Sequence, residues 1–252
     1  MTQYLDETSV LPLGLNVSAG KIDGLSYINK FGHNPVVTTT TDPEDMWTYG
    51  GLYTFPSSAA TLYVSSSDDT DDGVVNVQGL DANWAMQTKQ VTLTGQTQAA
   101  IDGTWISVFR AWTSTATSGD VYIAEQDGTI SGGVPQAATK IKAQILIADQ
   151  QTEMAIYTVP AGKQAWICGW WGSILGGGAT KAADLDLKQT TFGSSTRTLM
   201  SVGITSIGTS YFHYKFCTPQ LLDEKTDLYI RIAEVTATCN LAGGFDLVLR
   251  DK

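Results

Sequence analysis

Charge is what this 252-residue chain has least of: Asp, Glu, Lys and Arg together make up 16 % of it. The shortage is one-sided, with 25 acidic residues against 15 basic ones and a formal net charge of −10. An acidic chain is repelled by phosphate backbones, so nucleic acid is not an expected partner. Cysteine is scarce too. Cys168, Cys217 and Cys239 are odd in number and widely spaced, which argues against a disulfide framework and a zinc site. They are expected as small buried residues in strands. No run approaches the ~18 apolar residues of a membrane-crossing helix, so no membrane partner is expected. No Lys or Arg precedes Lys21, and Pro12 and Gly14 break the apolar N-terminal stretch. A secretory leader is therefore not expected, and synthesis in a cytoplasm is.

Catalytic signals are missing as well. His33 and His213 are the only histidines. There is no Gly-x-Ser-x-Gly, no phosphate-binding loop and no His-Glu-x-x-His. A triad of His213 with some Ser and Asp has no local spacing behind it. The chain is not expected to be an enzyme: no catalytic residue, metal site or cofactor is assigned.

What the chain does have is strand chemistry. Hydrophobic residues reach 42 %, and 25 glycines punctuate short β-branched and aromatic runs. No window sustains a helical period. The strongest local signal is Met154–Gly172. Strand-forming runs flank Pro160-Ala161-Gly162-Lys163, where Pro160 presets one turn corner and Gly162 supplies a positive φ. This reads as a hairpin. The fold class is all-β, with two β-sandwich or jelly-roll-like domains in tandem behind an extended N-terminal arm. The arm spans residues 1–24, the first domain 25–139 and the second 140–252. The Gly-rich stretch 127–139 is the expected linker between them.

Four features are candidates for interaction or chemistry. The arm carries Leu11, Leu13 and Leu15, which suit docking on another subunit better than a free tail. The acidic run Asp68–Asp72 has the composition of a calcium loop without the EF-hand spacing, and reads as a solvated loop tip. Asp184 and Asp186 share one strand face, as a glycosidase pair would, but exposed alternation explains them equally. Among seven tryptophans, the adjacent Trp170 and Trp171 must face opposite sides of a strand. At most one lies in the core, and the other is free for a sugar or a neighbouring subunit.

Two stretches together resemble a known family. One runs Tyr27-Ile28-Asn29-Lys30-Phe31-Gly32-His33-Asn34-Pro35, followed by Pro43-Glu44-Asp45-Met46-Trp47 and Tyr53-Thr54-Phe55-Pro56. The other is Met154–Lys163. Val77–Trp84 and Val91–Gly95 fit between them. In this order they resemble virion structural proteins of tailed bacteriophages, common in aquatic phages, over about residues 20–175. The resemblance implies a capsid decoration, or cement, protein on the outer capsid surface. Its implied partners are the major capsid protein and two further copies of itself in a homotrimer. A tail or head fibre module that binds a receptor glycan is the alternative. The resemblance carries over no catalytic residues.

Overall fold

Short runs of β-formers separated by Gly, Asp and Ser fold almost entirely as strands. The structure, a computed structural model, describes residues 13–41, 43–147, 149–175, 180–207 and 210–252. A short helix α1 (Leu13–Ser18) precedes β1 (Leu25–Val37) and β2 (Glu44–Asp45). Next come β3 (Leu62–Ser66), β4 (Val74–Leu80), β5 (Met86–Thr92), β6 (Ala99–Ala100), β7 (Ser107–Thr113) and β8 (Val121–Glu125). The pair β9 (Ile130–Ser131) and β10 (Val134–Pro135) leads to β11 (Ile141–Ile145) and β12 (Ile156–Thr158). Longer strands finish the chain: β13 (Lys163–Leu175), β14 (Ala182–Thr191), β15 (Arg197–Thr205), β16 (Tyr211–Leu222), β17 (Thr226–Val235) and β18 (Cys239–Asp251).

The strands build two antiparallel sandwiches. In the first, the sheet β1-β18-β13-β16 lies over the sheet β12-β17-β14-β15, with β2 paired to β17. Ile167, Trp170 and Phe245 from one sheet meet Leu185, Leu187 and Ile230 from the other. In the second, β11-β8-β3-β6 lies over β5-β4-β7 around Val64, Val77, Val108 and Ile123.

The pairing does not follow the division drawn at residue 139. Strand β1 pairs from Leu25 to Asn34 with the final strand β18, and β11 pairs with β8. The second sandwich is thus inserted between β2 and β12 of the first. Close backbone approach fixes β1 in place. A methyl group on Gly32 would lie 2.2 Å from the Met46 carbonyl oxygen and 2.4 Å from the Ala155 nitrogen. At the crossing into the insert, Arg231 grips buried Asp45 with Nε–Oδ1 2.9 Å and Nη2–Oδ2 3.2 Å. The Tyr53 N–H donates to the same carboxylate at 2.8 Å.

Three local expectations are corrected. The flanks of Pro160–Lys163 do not pair with each other: β12 joins β17, and β13 joins β16 and β18. The turn does form, with Gly162 at φ +73, but it carries the chain from one sheet across to the other. The run before it is buried on both sides from Ile156 to Val159, as a strand passing between two cores must be. The stretch 127–139 holds the tight β9–β10 hairpin, with Gly132 and Gly133 at φ +56 and +75. Its Gly133 carbonyl accepts from Ser65 Oγ at 2.7 Å, so it packs on the second sandwich instead of linking two halves. The arm is not extended where it is described: Leu13–Ser18 is helical, and the Ala19 N–H donates to the Leu15 carbonyl at 2.9 Å. Leu11 lies outside the described residues.

A polar chain crosses the seam between the sandwiches. The hydroxyls of Ser107 on β7 and Thr158 on β12 are 2.8 Å apart, and Thr158 Oγ1 donates to Asp227 Oδ1 of β17 at 2.7 Å. Burial pushes the Asp227 carboxyl up to about 7, against a partial pull downward from Thr158. Between its ordinary value near 4 and about 7, the folded protein holds a proton that the unfolded chain has lost. Stability from this group is therefore highest below pH 4, falls through that window, and stays low above it. Asp227→Asn removes the titration. The variant is expected to gain on the wild type by a few kcal/mol between pH 4 and pH 8 in urea-melt series, at ~1.4 kcal/mol per pH unit. Parallel pH profiles for the two proteins would refute the assignment.

Candidate functional site

The outer face of the sheet β1-β18-β13-β16 gathers side chains that sequence alternation alone would scatter. Register sets Phe31, Gly244, Trp171 and His213 in one row across the four strands. The next row is His33, Ala242, Ser173 and Tyr211. Towards the other end, Tyr27, Val248, Trp166 and Leu221 form a further row. Strict alternation would put Trp166 with Trp170. A bulge between Ile167 and Gly169 adds one residue to β13, reverses the parity, and brings Trp166 to the side of Trp171.

Trp170 accordingly points into the core. It meets Phe212 edge-on, with ring centroids 4.6 Å apart, and its Nε1–H donates to Met200 Sδ at 3.3 Å. Trp171 is half-buried on the outside, with Tyr211 at 6.3 Å between ring centroids. Its indole lies over Gly244, where a methyl group would sit 2.8 Å from Trp171 Nε1. The glycine thus lets the ring lie down on the sheet. Tyr27, Tyr211 and Leu221 are 43 %, 52 % and 51 % exposed, so the face is open.

Polar groups sit between the aromatic rows. Asp246 accepts from Tyr27 Oη at 2.5 Å and from Asn29 Nδ2 at 2.8 Å. Burial, then the Asp246 bond and charge, push the Tyr27 phenol up to about 12, so it donates at any physiological pH. His33 Nδ1 lies 3.0 Å from Glu153 Oε2, and its Nε2 lies 2.7 Å from Asn240 Oδ1. At one end, a groove of about 830 Å3 runs between α1 and the sheet, lined by Val17, Trp166, Cys168, Pro219 and Val248. Burial, then the charge of Asp246, raise the Cys168 thiol, so it stays protonated in that wall.

The other candidates fall elsewhere. Leu15 is 52 % exposed on α1, and α1 contributes Gly14 and Val17 to the groove. Asp71 of the acidic run is no solvated tip: it turns inward and accepts from Ser66 Oγ, Ser118 N and Gly119 N at 2.6, 2.8 and 3.1 Å. It staples one loop to the next. Asp186 is tied to Lys188 at 3.1 Å and to Ser201 Oγ at 2.5 Å. Cys217 is exposed because β16 is an edge strand, while Cys239 is buried; no cysteine is bonded to another. Among the described residues, no group of three His, Cys, Asp or Glu side chains could hold a metal ion, and no helix is long and apolar enough to cross a membrane. Sequence reasoning singled out Trp171 but missed Phe31, Tyr27 and Tyr211. Alternation in Tyr211-x-His213-x-Lys215 was the available signal.

No protein-family model matches the chain, and no curated protein matches it. Solved structures give distant likenesses. A structure described as "CBM4 structure and function" is 13 % identical with a TM-score of 0.23, covering 55 % of this chain and 76 % of that one. A structure of infectious bursal disease virus, Gt strain, is 10 % identical with a TM-score of 0.24, covering 96 % and 78 %. The VP2 subviral particle of the same virus is 9 % identical with a TM-score of 0.20, covering 90 % and 72 %. At these scores the likenesses carry no argument about this chain, which rests on its own geometry.

Proposed function

We propose that the chain is a structural subunit of a tailed-bacteriophage virion, attached to the outside of the capsid as a decoration protein and without catalytic activity. The observation that carries this reading is the open aromatic face of β1-β18-β13-β16. A sheet face that carries half-buried Phe31, Trp166 and Trp171 beside exposed Tyr211 and Leu221 is costly to leave wet. Burying it against a neighbour yields about 25 cal/mol per Å2 of apolar area, before the entropy cost of docking. Aromatic side chains with a polar row between them are the composition of a protein interface core. The major capsid protein is the partner in this reading, and a homotrimer places three such faces on one shell position. The groove beside α1 extends the same surface.

A second reading, a glycan-binding fibre module, draws on Tyr27, Asn29 and Asp246, whose polar atoms lie between aromatic rings that could stack sugars. One experiment separates the two. The purified chain is sedimented with capsid shells stripped of their surface proteins, and screened in parallel on a glycan array. The decoration reading expects saturable attachment at many sites per shell and a silent array. Array binding with no shell attachment would replace it with the glycan reading.

A further inference from the structure

The seam between the sandwiches holds a cavity that borders the outer face at Tyr27, Asn29 and Phe31 and reaches inward past it. Lys30 turns inward from β1, is buried, and donates from Nζ to the Phe109 carbonyl oxygen. Among the described residues no carboxylate pairs with it. Arg110 of β7 is its charged neighbour; it carries no ion pair among the described residues and its guanidinium stacks 4.9 Å over Trp112. Tyr157 of β12 is buried, and its hydroxyl has no hydrogen-bond partner among the described residues. All three line one cavity of about 350 Å3, together with Gln78, Gln151 and Thr152 and, from the outer face, Tyr27, Asn29 and Phe31. In a chain with 25 acidic residues, none of the described residues lining this cavity is acidic; Asp246 is held behind the lining by Tyr27 and Asn29.

That lining has a definite chemistry. Lysine and arginine only donate, and a guanidinium fork matches the two oxygens of a carboxylate or phosphate. A tyrosine hydroxyl left unbonded in the interior lacks the partner that buried polar groups normally have. Burial, then the charge of Arg110, push the Lys30 amine down to about 7. An anion beside both cations removes that repulsion and keeps the amine charged. The volume falls at the lower end of the range for small-molecule sites. We propose that this cavity binds the anionic group of a small molecule, a carboxylate or a phosphate, through Lys30, Arg110 and Tyr157. The site adjoins the aromatic face at Tyr27, Asn29 and Phe31 but takes its donors from the inward side of the sheet, and its occupant ties β1 and β12 of the first sandwich to β7 of the second.

The test is calorimetric titration of the full chain just below neutral pH with sodium phosphate, sodium acetate and sodium glucuronate, and with glucose as the neutral control. One of the anions is expected to bind one-to-one and glucose to give no heat. Arg110→Gln, at the cavity mouth, should weaken that anion at least about tenfold, and Lys30→Met should abolish its binding while the fold still melts cooperatively. A preference for phosphate identifies a phosphorylated ligand, and a preference for glucuronate an acidic sugar. If no anion saturates the protein, or if saturation is unchanged in both variants, the site does not exist.

Discussion

Replacing Trp170 by alanine is expected to destabilise the first sandwich by about 3–5 kcal/mol, while the same change at its neighbour Trp171 costs within about 1 kcal/mol. The two residues differ by one position and by one face. Trp170 is fully buried between the two sheets, against Phe212 and Met200. Its loss leaves a void that close-packed surroundings refill only in part. Trp171 rests on Gly244 with its other side towards solvent, so its removal opens no internal void. Urea melts give the stability ranking, and sedimentation with capsid shells gives the functional one. The expected result crosses over: Trp171→Ala folds normally and loses attachment, whereas Trp170→Ala, where it folds, still attaches. Attachment that survives Trp171→Ala would remove that residue from the contact surface.

The second large effect runs in the stabilising direction. Lys30→Met is expected to raise stability at pH 7 by about 2–4 kcal/mol, as replacing a buried ionic group by an apolar side chain of similar volume does elsewhere. In a chain of this size that is a rise in Tm of several degrees. The pH dependence identifies the cause. The folded amine titrates near 7 and the unfolded one near 10.5. Between those values the unfolded chain binds the extra proton, so wild-type stability rises with pH. The penalty is whole below pH 7 and fades towards pH 10.5. The advantage of Lys30→Met should therefore be flat below neutrality and shrink above it. Asp227 runs the other way, losing stability from about pH 4 to about pH 7. Together the two groups place a minimum of stability near neutral pH. A methionine variant less stable than the wild type at pH 7 would mean that the buried amine is better satisfied than its surroundings indicate. A buried cation kept at such a cost fits a site with a ligand, since stability is commonly traded for function.

The sequence carried the fold class and the faces of most strands, because those depend on local alternation. Leu228, Ile230 and Ile232 were separable from Tyr229 and Arg231 by period two alone, and they do point into the first core. What it did not carry was partnership. The turn Pro160–Lys163 has the residues of a hairpin, yet a turn fixes only its own four residues. Whether its flanks pair or part depends on β16, β17 and β18, some 50 to 90 positions away along the chain. The insertion of one sandwich into the other was hidden for the same reason: β1 finds its partner at the opposite end of the chain. Strand β1 itself was obscured by Gly32 and Asn34-Pro35, weak strand formers; Gly32 is there for close approach to Met46 and Ala155, and Asn34 donates to Glu44 and Asp45. Of the candidate surface, Trp171 was legible from adjacency with Trp170. The company of Trp166 was not, because a one-residue bulge leaves no mark in composition.

On the proposed function, the outer face of β1-β18-β13-β16 is a buried contact in the assembled particle. A cryo-EM reconstruction of the virion tests it most directly. The account predicts Phe31, Trp171 and Tyr211 within about 4 Å of another chain's side chains in every copy. A map in which this face looks into solvent, with the chain held to the particle by some other surface, would contradict it.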